Sequence, residues 1–358
     1  MFPTCETIDS EALYWTNVSL LSVTAIIIVA SFHSQFKEAA PYGRHSEPSA
    51  VAKWGPQVHQ RVGHMISDFL PGIPGCLGVY LVYAYRSDFS QAAINWVLLS
   101  LWLLHYLYRG LLHPLIMPYS SRTVAVGITV AGLFPNVLFA YLIAAQLACT
   151  VYPSDWEKDP RFIIGVILYA LGTGINRWAD LKLRAGRLAL RRRRQQPPQQ
   201  HGGGVDVSGA AAAVAPISAG GEGSGSAAAA VRQGLLDRED ADGSSGADAA
   251  ATVGGADAAG AAAKGASAAA AGSASASIRD QYFVPSGGLF ELVSSPNYLG
   301  EMVEWFGYAL ALWSYPGLAW ALFGASTFIP RALVHQRWYR QNFPEYPRSR
   351  KALIPFLL

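Results

Sequence analysis

Along the 358 residues, hydrophobic positions gather into long runs and polar residues gather between them. A helix that crosses a bilayer takes about 20 mostly apolar residues. Runs approaching that length lie at about 18–32, 65–85, 92–112, 124–147, 162–179, 298–313 and 316–328. The second is interrupted by Pro71 and Pro74. The last two are short, and Ser314-Tyr315-Pro316 between them reads as a tight turn. The pattern predicts an all-α, polytopic membrane protein with seven transmembrane helices. The start, MFPTCETIDSEALYW, is acidic, whereas a signal peptide begins basic and ends at a small-residue cleavage site, so the first run reads as a retained helix.

One stretch breaks the pattern. From about Gln195 to Ile278 the chain is QQPPQQHGGG followed by runs of Ala, Gly and Ser. Almost free of aromatic residues, it has too little apolar surface to offset the entropy of ordering. It is expected to be a disordered insert, dividing the chain into a membrane part at 1–194, the insert at 195–278 and a second membrane part at 279–358. Lys and Arg flanking the helices mark the cytoplasmic side. The densest basic runs are RWADLKLRAGRLALRRRRQQ from Arg177 and the tail from Arg331. The insert and C-terminus are therefore expected in the cytosol, with the N-terminus opposite. Arg191 to Arg194 read as topology determinants and contacts to anionic headgroups.

Composition agrees with a membrane class: 51% hydrophobic and 14% charged residues, against about 25% charged in soluble domains. Net charge is only +3 and no basic face is interleaved with aromatics, so nucleic acid is not an expected partner. Cys5, Cys76 and Cys149 form no CxxC pair, so neither a metal nor a disulfide framework is expected, and all three read as free thiols.

Polar residues recur at helical spacing where lipid makes them costly. In PSGGLFELVSSPNYLGEMVEW, which opens on a Gly-Gly turn, Asn297, Glu301 and Glu304 fall at i, i+4 and i+7. Asn176, Asp180, Arg184 and Arg187 share a face at the end of the fifth run. Arg331, His335 and Tyr339 share one after the seventh. His105, Arg109 and His113 share one in the third, with Tyr106 one position round. Each has a plain structural reading: snorkelling arginines, a satisfied interior histidine, a helix–helix hydrogen bond. Together they suit a large anionic ligand with ribose hydroxyls and an amide. No GxGxxG follows a strand, and no HExxH, GxSxG or P-loop lies outside the low-complexity stretch.

The blocks PSGGLFELVSSPNYLGEMVEWFGYALALWS and PRALVHQRWYRQNFPEYPRSRKALIPFLL resemble the steroid 5α-reductase family, most specifically in YPRSRKALIPFLL. DWEKDPRFIIGVILYALGTGINRWAD and HYLYRGLLHP are similar to its fifth and third helices. The resemblance implies a seven-helix fold in the endoplasmic reticulum membrane that binds NADPH from the cytosol and takes a steroid or sterol from the bilayer. It implies cofactor contacts at Asn176, Asp180, Arg187, Tyr282, Asn297, Glu301, Arg331, His335 and Tyr339. It also implies a tail closing over the cofactor, a wall to the steroid at Trp305, and an acid at Tyr106 supported by a carboxylate on the second helix. The nearest match to that carboxylate is Asp68 in MISDFLPGIPG, where the family has glutamate. Phe283 and Trp178 also depart from the family pattern. Two alternatives remain: a related reductase of very-long-chain trans-2-enoyl-CoA or polyprenols, and a non-catalytic sterol-binding protein.

Overall fold

The computed structural model describes residues 11–37, 52–85, 93–119, 121–195, 278 and 281–358. The expected insert lies outside the described residues except at its ends. Helix α1 runs Glu11–Lys37. Strand β1, Gln57–His59, leads into α2, Gln60–Tyr85. Helix α3 covers 93–116. Strand β2, Thr123–Ala125, leads into α4, Val126–Cys149. Then follow α5, Pro160–Gln195, α6, Pro296–Leu312, and α7, Tyr315–Asn342. The helical class holds, with one small addition: β1 and β2 pair antiparallel, Val58 opposite Val124. Three residues each are too few to give an alternating pattern in the sequence.

Among the described residues, five stretches are long and apolar enough to cross a membrane: Val18–Phe36, Gln60–Tyr85, Val126–Cys149, Pro160–Gln195 and Tyr315–Asn342. Helices α3 and α6 fall outside that set. They are the ones carrying His105 and Arg109, and Asn297, Glu301 and Glu304. Helices α5 and α7 extend well past the ends of their apolar runs because their amphipathic continuations stay helical where they leave the core.

Proline does not break α2. The chain widens into π turns at Met65–Phe69 and Pro71–Gly75, and α3 does the same at Leu107–Leu112. A π turn inserts a residue and rotates the side chains after it, and such turns concentrate at functional sites. Here they lie opposite each other: Asp68 is on one and Arg109 on another. Between α6 and α7 the turn is tight as expected. Trp313 takes a left-handed conformation (φ 47°) that ends α6, and the Ser314 hydroxyl accepts from the Gly317 amide at 3.2 Å to start α7.

Helices α5 and α6 form the closest pair. A Cβ added at Gly172 would stand 2.2 Å from the Glu304 amide nitrogen, and one at Gly300 would stand 2.5 Å from that of Asn176. Gly165 and Gly307 repeat the arrangement two turns away. Four glycines thus let two backbones touch, as small residues do between helices in lipid. The core beside this seam is aromatic: Trp102, Trp305, Tyr308, Phe139 and Trp320 interlock. Cys76 is a free, buried thiol as expected, but Cys149 is disulfide-bonded, which corrects the free-thiol reading there. Spacing in the sequence carries no signal for pairing between distant cysteines.

Candidate functional site

The glycine seam presses polar residues of α5 and α6 together. The Asn176 amide donates to the Asn297 carbonyl at 2.9 Å and to Glu301 at 3.4 Å. Arg177 donates to Asn176 Oδ1 at 2.6 Å, and its guanidinium lies 3.7 Å from the Tyr108 ring centroid. From α3, His105 reaches both carboxylates: Nδ1 is 2.8 Å from Glu304 and Nε2 is 3.8 Å from Glu301. Glu304 is 0% exposed. Two buried carboxylates thus share one imidazole, and Glu304 also lies 4.0 Å from the Arg177 guanidinium, which is how charge is tolerated away from water.

Tyr106 belongs to a second network. Its hydroxyl donates to Asn136 Oδ1 at 2.6 Å, and the Asn136 amide donates to Asp68 Oδ1 at 3.2 Å and to the Gly132 carbonyl at 3.0 Å. Ser67 also donates to Asp68, at 3.0 Å. Tyr106 and Asp68, matched separately by resemblance, are therefore joined through Asn136 on α4. Sequence reading did not single out Asn136. The available signal was an amide after a proline, midway along an apolar run. Gly72 lies against the Tyr106 ring so closely that a Cβ there would stand 2.1 Å from Cδ1.

Above these networks a cavity of about 330 Å³ opens at one end of the helices. Asp68, Asp180, Arg187, Tyr282, Asn297, Arg331, His335 and Tyr339 stand on its wall. Tyr106, Asn176, Glu301 and Trp305 do not; they lie packed beneath. Trp305 sits in the aromatic cluster, 4.3 Å from His105 and 5.5 Å from Trp102 between ring centroids. Arg109 and His113 of α3 are on the wall, and so is Phe283. Trp178 instead faces Phe290, with Gly288 against its indole.

The α5 face differs from the spacing-based grouping. Arg184 turns away and donates to the Ile116 carbonyl at 3.0 Å. Arg191 and Arg194, expected to contact headgroups only, are on the wall. Arg191 donates across to the Tyr119 carbonyl at 2.6 Å. Burial pushes the Tyr119 phenol, on the loop after α3, up to about 12, so at neutral pH it is a donor.

The tail from Arg331 gives the wall Arg331, Val334, His335 and Tyr339, and among the described residues none after Tyr339 lines it. The rest of the tail packs on the segment before α6. Ser294 and Lys351 are joined through backbone at 2.8 Å, and buried Arg350 donates to the Pro285 carbonyl at 2.9 Å. Tyr346 stacks on Tyr339 at 5.2 Å, buttressing the wall from behind.

These groups could hold an anionic cofactor that carries hydroxyl groups. Among the described residues, five guanidiniums face the cavity against two carboxylates. Among the described residues, Asp180 Oδ2 and Gln60 Oε1, both buried on the wall, make no hydrogen bond, with His113 Nε2 3.6 Å from Asp180 Oδ2, and such acceptors suit hydroxyl donors.

Fold and site together define a helical membrane protein with a cationic cavity over two buried polar networks. Residues 274–358 match the sequence profile of 3-oxo-5-alpha-steroid 4-dehydrogenase. The chain is 31% identical over 264 residues to 3-oxo-5-alpha-steroid 4-dehydrogenase 2 of Homo sapiens, covering 73% of this chain and 68% of that one. It is 30% identical over 265 residues to 3-oxo-5-alpha-steroid 4-dehydrogenase 1 of Mus musculus, covering 74% and 69%. To the Macaca fascicularis 3-oxo-5-alpha-steroid 4-dehydrogenase 1 it is 29% identical over 317 residues, covering 88% and 84%. The chain belongs to the 3-oxo-5-alpha-steroid 4-dehydrogenase family, and is an integral-membrane oxidoreductase.

Proposed function

We propose that this protein reduces the 4,5 double bond of a 3-oxo-Δ4 steroid with NADPH. The observation that carries the proposal is the Tyr106–Asn136–Asp68 chain running from beneath the cationic cavity onto its wall. Arg187 and Arg331 would hold phosphate, Asp180 a ribose hydroxyl, and Asn297 with Glu301 the carboxamide. When bound, the dihydronicotinamide supplies a hydride to the β-carbon of the enone. With substrate bound, the Tyr106 O–H would turn from Asn136 Oδ1 and donate to the ketone oxygen, where negative charge develops. A phenol is a competent acid toward an enolate, and its gain is largest in a site closed to water. Asn136, held by Asp68 and the Gly132 carbonyl, would keep that hydroxyl in place until the ketone accepts its proton. The aromatic cluster around Trp305 excludes water from the far side. Ketonisation then places a proton on the α-carbon, giving the saturated ketone.

Apolar side chains of α1 that stay exposed, such as Ile26 and Val29, would face lipid, from which the steroid would enter. We take all seven helices as spans, the cavity end and C-terminus facing the cytosol from the endoplasmic reticulum. The disulfide at Cys149 supports this orientation. It lies at the opposite end of α4 from the cavity, and disulfides persist on the oxidising side of a membrane.

The test is turnover by membranes containing the protein, supplied with NADPH and a panel of 3-oxo-Δ4 steroids. Mass spectrometry should find products heavier by two hydrogens, and Tyr106→Phe should remove them. Reduction of a 2-enoyl-CoA or polyprenol instead, or no steroid-dependent NADPH oxidation, overturns the proposal.

A further inference from the structure

The arginines at the end of α5 do more in the structure than a topology signal requires. Arg187, Arg191 and Arg194 lie four and three residues apart, on the face that also carries Asp180, and all line the cavity. At about 1.5 Å per residue, Arg187 lies roughly 10 Å beyond Asp180, and Arg194 roughly 10 Å beyond Arg187. The neighbouring Arg192 and Arg193 are exposed and stand off the wall. If the reacting ring lies at the level of Asn297 and Asp68, the bridging phosphates fall near Arg187. The far ribose then falls at the level of Arg191 and Arg194.

We propose that Arg191 and Arg194 form a subsite for a phosphate monoester on that far ribose, and so set the preference for NADPH over NADH. The inference rests on the proposed function and names residues the sequence had given to lipid. Charge supports it. Among the described residues, the wall carries Arg109, Arg187, Arg191, Arg194 and Arg331 against Asp68 and Asp180, an excess of three positive charges. A pyrophosphate answers only part of that excess, whereas a phosphate monoester adds about −1.5 to −2. Geometry supports it too. The bond from Arg191 to the Tyr119 carbonyl holds the end of α5 against the loop after α3, and Arg194, one turn on, lines the same cavity. Two exposed guanidiniums on adjacent turns can grip one dianion, and salt screens that grip.

The experiment compares full-length wild type with Arg191→Gln/Arg194→Gln and with Arg192→Gln/Arg193→Gln, a control of equal charge loss off the wall. Each is assayed for kcat/KM with NADPH and NADH, and for inhibition by and direct calorimetric binding of 2′,5′-ADP and 5′-AMP, in neutral detergent and in vesicles with or without phosphatidylserine. The first pair should lose at least about tenfold more with NADPH than with NADH, the scale of one charge-assisted hydrogen bond. Inhibition by 2′,5′-ADP should weaken in parallel and that by 5′-AMP should not, while the control pair follows wild type. Equal losses with both dinucleotides would mean that Arg191 only braces the loop. An equal loss in the control pair would mean a diffuse field. A defect confined to phosphatidylserine vesicles would mean headgroup contact. Each of these overturns the inference. A wild type that does not distinguish NADPH from NADH removes the cofactor reading itself, a separate failure visible before any variant is compared.

Discussion

Asn136→Leu tests the Tyr106–Asn136–Asp68 chain most directly. Leucine keeps the heavy-atom count and branched γ-carbon of asparagine but neither donates nor accepts. It leaves the Tyr106 hydroxyl without its 2.6 Å acceptor and Asp68 without its 3.2 Å donor. Net contributions of about 0.5–1.5 kcal/mol per hydrogen bond give roughly 1–3 kcal/mol for the two, or about a 5- to 150-fold fall in kcat. The ceiling is the whole contribution of the acid, about 10²- to 10⁴-fold, which Tyr106→Phe should remove. The informative measurement is the double-mutant cycle in steroid turnover. If Asn136 acts only through the tyrosine hydroxyl, Tyr106→Phe/Asn136→Leu should be no slower than Tyr106→Phe alone, with KM for NADPH near wild type in all three. Independent, multiplying losses would refute the relay. So would an Asn136→Leu enzyme within twofold of wild type.

Other substitutions read the supports. Gly72→Ala should displace the Tyr106 ring, since the new Cβ would stand 2.1 Å from Cδ1. We expect kcat to fall at least about tenfold and stability by about 1–3 kcal/mol in a detergent melt, while Gly174→Ala, which meets nothing within 4 Å, is the harmless comparison. Glu304→Gln removes a charge from the buried pair with His105. It should lower the melt toward the about 3–5 kcal/mol cost of breaking such a pair and raise KM for NADPH, because His105 also reaches Glu301; an unchanged melt counts against the network. Asp159, just before α5, has its carboxyl held down at about 2 by the hydrogen bond from Arg161. A depressed folded pKa gives stability that is present above about pH 4 and lost as pH falls toward 2, so Asp159→Asn should differ from wild type at neutral pH and converge with it near pH 2. A difference that persists at pH 2 would show that the aspartate acts by some route other than its charge.

Sequence periodicity exposed the helix faces well and their neighbours poorly. Spacings of three and four residues found Asn176 with Asp180, and Arg331 with His335 and Tyr339, because a helix fixes those relations locally. What spacing cannot fix is the phase of a face over many turns. Taking Asp180 as origin at about 100° per residue, Arg184 lies near +40°, Arg187 near −20°, Arg191 near +20° and Arg194 near −40°. The wall is turned slightly toward the Arg187–Arg194 side, enough to send Arg184 to the Ile116 carbonyl and bring in two arginines read as lipid contacts. The seven-residue spacings of Gly165 with Gly172 and of Gly300 with Gly307 were legible, but their meaning lay in matching two helices far apart in the chain. Asn136 and the pairing of Cys149 were hidden for the same reason.

The adjacent residues His105 and Tyr106 show how the bundle keeps two polar systems separate. A helix places neighbours about 100° apart, so His105 turns to the α5–α6 seam while Tyr106 turns to α2 and α4. His105 serves Glu301 and Glu304; Tyr106 serves Asn136 and Asp68; Trp305 packs near both rings. On the proposed function, the first system sets where the dihydronicotinamide lies and the second sets where the ketone is polarised. Their damage should therefore separate in kinetics: changes at His105 or Glu304 in KM for the cofactor, changes at Asn136 or Gly72 in kcat. The split follows from the fold, because adjacent positions on α3 send one side chain to the α5–α6 seam and the other to α2 and α4.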